Sequence, residues 1–117
     1  MQEFDMPIFK KAYELYKIFC ELRRHSSRLD RYTIWQKSDS IILEIIEGIL
    51  EASQKYKGEK LPILERTSVK LNFLRVFFRL MKDTKSIDLK EYAQMEKIVD
   101  EIGKMLGGWI RSVKNQS

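Results

Sequence analysis

Residues 88–113 read DLKEYAQMEKIVDEIGKMLGGWIRSV, with apolar side chains recurring at Tyr92, Met95, Val99, Ile102, Leu106, Trp109 and Val113. The intervals alternate between three and four, which holds all seven on one face of a helix and matches the seams of bundles and coiled coils. A strand would need alternation at every second residue, and this segment has none. Asp88 followed by Glu91 is a capping box, in which each side chain reaches the other residue's backbone N–H. Gly103 and Gly107 lie one turn apart, and each costs about 1 kcal/mol relative to Ala inside a helix. A close approach by a neighbouring helix is the expected reason. The seam predicts Tyr92, Val99, Ile102, Leu106 and Trp109 in the interior of a bundle.

Three further helical segments lie upstream. The first runs from about Pro7 to Arg24, with Asp5 as expected cap and Pro7 in the first turn, where a missing N–H costs nothing. Ile8, Ala12, Leu15, Phe19 and Leu22 form its stripe, flanked by Phe9, Tyr13, Tyr16 and Cys20. A polar connection, His25–Arg31, ends the pattern. The second helix is expected from Thr33 to Tyr56, with Thr33 and Gln36 as a capping box. Its seam of Ile34, Ile41, Ile45, Ile49 and Ala52 is widened by Trp35, Ile42, Ile46 and Leu50. Lys57-Gly58-Glu59-Lys60 reads as a turn around a helix-stopping glycine, and Pro62 as the first turn of a third helix reaching about Lys85. Lys114–Ser117 are expected to fray. Connections this short make successive helices antiparallel neighbours. The fold class is therefore all-α: an up-down-up-down antiparallel four-helix bundle, as one domain over residues 1–117.

Composition agrees. The 117 residues are 44% hydrophobic and 33% charged, too apolar for a disordered tail and too charged for a membrane span. With only 5 Gly and 2 Pro, the turns of a sandwich or barrel are not available. No basic-then-apolar leader opens the sequence, and Cys20 is a single cysteine, so a reducing cytoplasm is expected. The net charge is +5, with a pI near 9.3. Residues 58–86 hold most of the excess, with 7 basic and 3 acidic groups, whereas 87–117 hold 5 of each.

Little here supports catalysis. His25, the one histidine, stands at a helix end, where an imidazole more often meets the dipole or solvent than a substrate. One His and one Cys make no zinc site. Glu44, Glu47 and Glu51 share a helix face, but no His follows any of them as a carboxylate-bridged metal site in a bundle requires. Helical ribonucleases of the HEPN type pair Arg with His near the last helix, and this last helix has no His. Gly107-Gly108 lacks the Lys-Ser/Thr of a phosphate loop. Cys20, on the apolar side of its helix, reads as a small buried hydrophobe. The expectation is no enzyme, no cofactor and no metal.

The third helix is the informative one. At 100° per residue, Arg75, Arg79 and Lys82 fall on one narrow face with Ser68, beside Asn72, forming a ridge suited to phosphates or acidic side chains. A solvated face, with Asp83 and Glu65 near, is the other reading. Val69, Phe73, Val76, Phe77 and Leu80 form one apolar arc; Leu71, Leu74, Phe78 and Met81 form another. A surface helix of a monomeric bundle needs one stripe. The surplus, repeated in the second helix, points to a subunit interface at Phe73, Phe77 and Leu80.

Four stretches carry a family likeness: RYTIWQ at 31–36, EASQKY at 51–56, LRVFFRLMKD at 74–83 and IGKMLGGWIRS at 102–112. Together they resemble the accessory variability determinant (Avd) proteins of diversity-generating retroelements, from about Phe9 onward. More distantly, the chain is similar to four-helix proteins encoded by intervening sequences of large ribosomal RNA genes. The Avd resemblance implies a small basic bundle that assembles into a pentamer and has no catalysis of its own. It also implies association with the element's reverse transcriptase and template RNA in mutagenic cDNA synthesis, which could extend to DNA. The family's basic positions fall on Arg75, Arg79 and Lys82. Trp35 and Ser38-Asp39-Ser40 depart from the Gly- and Arg-containing start usual for the second helix. Against this stands a structural bundle that assembles with a protein partner and binds no nucleic acid; a helical nuclease is disfavoured by the missing His.

Overall fold

The computed structural model describes residues 5–26 and 33–115. It contains α1 (Pro7–Arg24), α2 (Ile34–Ser53), α3 (Lys57–Asp83) and α4 (Leu89–Asn115), with no strand among the described residues. Each helix packs against its neighbours in sequence, and α1 closes the square against α4, while diagonal pairs barely meet. This is the expected all-α, up-down-up-down four-helix bundle, 47 × 26 × 22 Å. Most of the expected connection between α1 and α2 lies outside the described residues, as do residues 116–117; Lys114 and Asn115 are still helical.

The stripes read from periodicity form the core. Ile8, Ala12, Leu15 and Phe19 of α1 are buried, as is Phe9; Leu22 and Cys20 are half-buried and Tyr13 is exposed. Phe19 is the hub of an aromatic cluster, 5.1 Å from the Trp35 ring of α2 and 6.2 Å from the Phe78 ring of α3, with all three fully buried. In α4, Met95, Ile98, Val99, Ile102, Leu106 and Val113 are buried. Tyr92 and Trp109, expected inside, are only half-buried at the seam's edge. Each is held there by a cation: Lys82 Nζ lies 4.8 Å above the Tyr92 ring and Lys60 Nζ 5.9 Å above Trp109.

Helix ends follow the expected grammar in part. The Asp88 capping box is present, with Glu91 N–H donating to Asp88 Oδ1 at 2.7 Å and Asp88 N–H to Glu91 Oε1 at 2.9 Å. Asp5, in contrast, does not cap α1: Met6 is the N-cap, without a side-chain cap bond. Thr33 is the N-cap of α2, but its side chain makes no capping bond, so the Thr33/Gln36 box does not form. The second helix ends at Ser53 rather than Tyr56, and the third begins at Lys57, so the expected turn around Gly58 is its first turn and Pro62 lies inside it. Lys60 explains the early start. Its ammonium donates to the Ala52 carbonyl at 2.7 Å, tying the first turn of α3 to the last turn of α2. Pro62 leaves the Gly58 carbonyl without its usual helical donor, but both residues are exposed, so water can satisfy it.

α3 stops without glycine. Lys85 takes φ 65°, while Ser86 N–H donates to Met81 O at 2.8 Å and Lys85 N–H to Lys82 O at 3.0 Å. This is a Schellman motif with lysine in the left-handed position, and Ile87 just beyond it is buried.

Glycine matters most where sequence reading did not look. A Cβ on Gly48 of α2 would lie 2.2 Å from Thr67 Oγ1 of α3, and Thr67 is buried with its hydroxyl donating to Ile63 O at 2.8 Å. Gly103 meets the expectation of close approach, since a Cβ there would be 2.7 Å from Arg75 Nη2. Gly107 does not: only Arg111 of its own helix comes near.

Two stability measurements test this. Gly48→Ala is expected to destabilise the chain by about 1–2 kcal/mol, an overpacking cost of 1–3 reduced by the helix propensity of Ala. Thr67→Ala introduced with it should recover much of the loss in a denaturant titration; additive losses would contradict the contact. Lys85→Gly, which relieves a left-handed side chain, should stabilise by about 1 kcal/mol.

Candidate interaction surface

The ridge of Arg75, Arg79 and Lys82 lies on the flank of α3 that turns toward α4, and its three cations have different surroundings. Arg75 reaches across Gly103, its Nη1 3.3 Å from Glu96 Oε1 and closer still to Asp100 Oδ1. It is a tie between α3 and α4. Lys82 lies over Tyr92 and 3.7 Å from Asp83 Oδ1. Arg79 is 73% exposed, with only Asp83 at 4.0 Å one turn on. Of the three, Arg79 alone presents its guanidinium broadly to solvent. The Tyr92 phenol between them has its pKa raised, first by burial and then by the nearby Glu96 carboxylate.

The apolar surplus of α3 separates into two faces. Leu71, Leu74, Phe78 and Met81 are buried. Val69, Phe73, Val76 and Leu80 are 50%, 53%, 56% and 44% exposed, a continuous outward stripe at i, i+4, i+7 and i+11. Phe77, grouped with them in sequence, is half-buried against the core. The surplus of α2 is different. Trp35 and Ile42 are buried and Ile46 and Leu50 half-buried, so the bundle itself covers most of it.

Of the departures at the start of α2, Trp35, Ser38 and Asp39 turn inward while Ser40 is exposed. Ser38 is fully buried, and Asp39 Oδ1 lies 3.7 Å from Arg23 Nη1 of α1. A hydrogen bond with Asp39, reinforced by burial, raises the Tyr16 pKa above the ordinary phenol range. Glu44 pairs with Lys70 of α3 at 3.1 Å, and Glu44, Glu47 and Glu51 line a solvated groove. His25 is exposed beside Glu21 at 3.7 Å. No group among the described residues could hold a metal ion.

One basic face escaped the sequence reading. Lys90, Lys97, Lys104 and Arg111 recur every seven residues along α4, all exposed. The seven-residue spacing was the available signal. The segment 87–117 is neutral by count, and two of its acids, Asp100 and Glu101, lie between Lys97 and Lys104.

No helix among the described residues is long and apolar enough to cross a membrane. A search of curated proteins found no match. A family model described as bAvd-like, however, matches residues 6–113, covering all four helices, the exposed α3 stripe and both basic faces. On that match the chain belongs to the bAvd-like family.

Proposed function

We propose that this protein is a non-enzymatic accessory protein of a diversity-generating retroelement, acting in the cytoplasm. It binds the reverse transcriptase and nucleic acid, the template RNA and its cDNA, in support of mutagenic reverse transcription. The observation that carries the reading is family membership over nearly the whole chain, which points to an accessory role in a retroelement system. The geometry supports it in two ways. Arg79 offers an exposed fork of donors beside the apolar stripe, so charge and apolar area can be recognised together. The stripe itself suits a second copy of the chain. Phe73 and Leu80 are the anchors, Phe77 supports them from below, and a ring of copies repeats Arg79 around its circumference. Five copies follow from the resemblance.

The pairing of Arg75 with Glu96 and Asp100 favours a second reading, in which the bundle only assembles with a protein partner and binds no nucleic acid. A salt series separates the two, because phosphate contacts release counterions and weaken steeply as salt rises.

Two outcomes are expected. Phe73→Asp should give a smaller particle of unchanged helicity by light scattering and circular dichroism; a wild-type monomer at micromolar concentration would contradict the assembly. Arg79→Glu should weaken association with the reverse transcriptase and with RNA, the RNA loss being greatest at low salt, without lowering Tm. Arg75→Ala should lower Tm as well, since it leaves Glu96 and Asp100 unpaired. Unchanged binding of both partners by Arg79→Glu would remove α3 from the site.

A further inference from the structure

We propose that the α3 stripe of one copy docks on the seam between α1 and α2 of the next, at Tyr13 and Leu43, so that copies join head to tail. This rests on the reading of the stripe as a subunit contact and adds the face that receives it.

Outside the stripe, the exposed large apolar side chains among the described residues are Tyr13, Leu43, Tyr56 and Leu89. Tyr56 and Leu89 stand at the turns, before α3 and at the start of α4, at opposite ends of the bundle. Tyr13 and Leu43 lie in the body of α1 and α2 and are 53% and 40% exposed. Two contacts place them side by side. Phe19 meets Trp35, and Tyr16 donates a hydrogen bond to Asp39. The helices are antiparallel, so a turn back from Tyr16 and a turn on from Asp39 lead the same way, and Tyr13 comes to the height of residues 41–42. At 100° per residue, Tyr13 and Leu43 are rotated about 40–60° from Tyr16 and Asp39. The Phe9 ring, 6.0 Å from that of Tyr13, and the half-buried Ile46 and Leu50 extend the patch toward the start of α1.

The stripe lies at the same height. Glu44 pairs with Lys70, and Gly48 faces Thr67, which puts Phe73 opposite residues 41–42 of α2. The middle of the stripe and the seam patch therefore share one level to within about two residues, or about 3 Å. A contact between unlike faces builds a filament when each step also rises along the axis, and a ring when it does not. Parallel copies joined through these two faces have next to no rise.

Direction agrees with height. α3 stands diagonally across the square from α1 and barely meets it, and the stripe points away from the buried Leu71, Leu74 and Phe78. The stripe thus occupies an outer corner, and the α1–α2 seam a side that does not contain that corner. No copy can bring its own stripe to its own seam. The two faces also stand at an obtuse angle rather than back to back, so each copy turns relative to the last, whereas opposed faces would line copies up in a row.

Self-pairing of two stripes about a two-fold axis would end at two chains and leave Tyr13 and Leu43 in water. The head-to-tail contact covers both apolar faces of every copy with one repeated interface. Each side of it offers an aromatic anchor, Phe73 on one and Tyr13 on the other, as the centres of protein contacts commonly do. Lys17, whose ammonium lies 5.9 Å from the Tyr13 ring, borders the patch with a flexible apolar stem that can pack along it.

The test sizes wild type, Phe73→Asp, Tyr13→Asp/Leu43→Asp and an equimolar mixture of the two variants by light scattering, with circular dichroism confirming equal helicity. Each variant alone should fall from the wild-type mass to that of one chain, because each has lost one of the two faces. The mixture should recover a particle of twice that mass: the intact stripe of the seam variant meets the intact seam of Phe73→Asp, and the series of contacts stops there. A seam variant of wild-type mass would overturn the proposal and leave the stripe reading intact. A mixture containing nothing larger than one chain would also overturn it. Wild type that is itself one chain, or Phe73→Asp of wild-type mass, would remove the stripe reading and the proposal with it. Cross-linking needs no disrupted face. In a Cys20→Ser background, Phe73→Cys/Leu43→Cys treated with a short bismaleimide should give a ladder extending beyond two chains, and either new cysteine alone should give none. Paired chains from Phe73→Cys alone would mean that stripe faces stripe, against the proposal.

Discussion

Arg75 lies across Gly103 and pairs with Glu96 and Asp100, and this crossing governs what the faces of α3 and α4 have left to offer. On α3 it withdraws one cation from the surface, and seven residues further along Lys82 sits over Tyr92. On α4 it draws two acids to one edge, while Lys11 holds Glu101 at the other. Solvent screens a half-exposed pair, so its contribution to stability is modest, and removing Arg75 costs mainly through the two acids it leaves unpaired. Its larger effect is to redistribute charge. Of the three ridge cations, Arg79 is left as the exposed one.

The packing beneath depends on two close contacts of different kinds. Gly48 lets Thr67 approach the α2 backbone, and the Thr67 hydroxyl is satisfied within its own helix by Ile63. At the end of the bundle where α1 meets α2, the rings of Phe19, Trp35 and Phe78 fill the centre and join three helices at once. With the core complete, α3 still carries Val69, Phe73, Val76 and Leu80 on the side facing away from it. Four helices arranged in a square leave an outer face on each, and on α3 that face is apolar.

Two basic faces and one apolar face therefore divide the surface. Arg79 stands beside the apolar stripe.

Periodicity by itself determined the four helices, the seam of α4 from Met95 to Val113 and the two apolar arcs of α3. The hydrogen-bonding reach of Asp88 and Glu91 determined where α4 begins. These are properties of a single helix, set by 100° per residue and by side chains three positions apart, so one strand of sequence contains them. Only the tertiary structure decided that Phe77 turns inward while Phe73 stays exposed, and that Tyr92 and Trp109 stop at the edge of the core. It decided that Pro62 falls inside a helix begun early by the bond from Lys60 to Ala52, and that Lys85 stops α3 where glycine was expected. It also separated Arg75, paired across the helices, from the exposed Arg79. The reason is physical: neutralisation and steric fit depend on distances of a few ångströms between different helices. Residues 21 or 25 positions apart, as Arg75 is from Glu96 and Asp100, meet only when those helices pack.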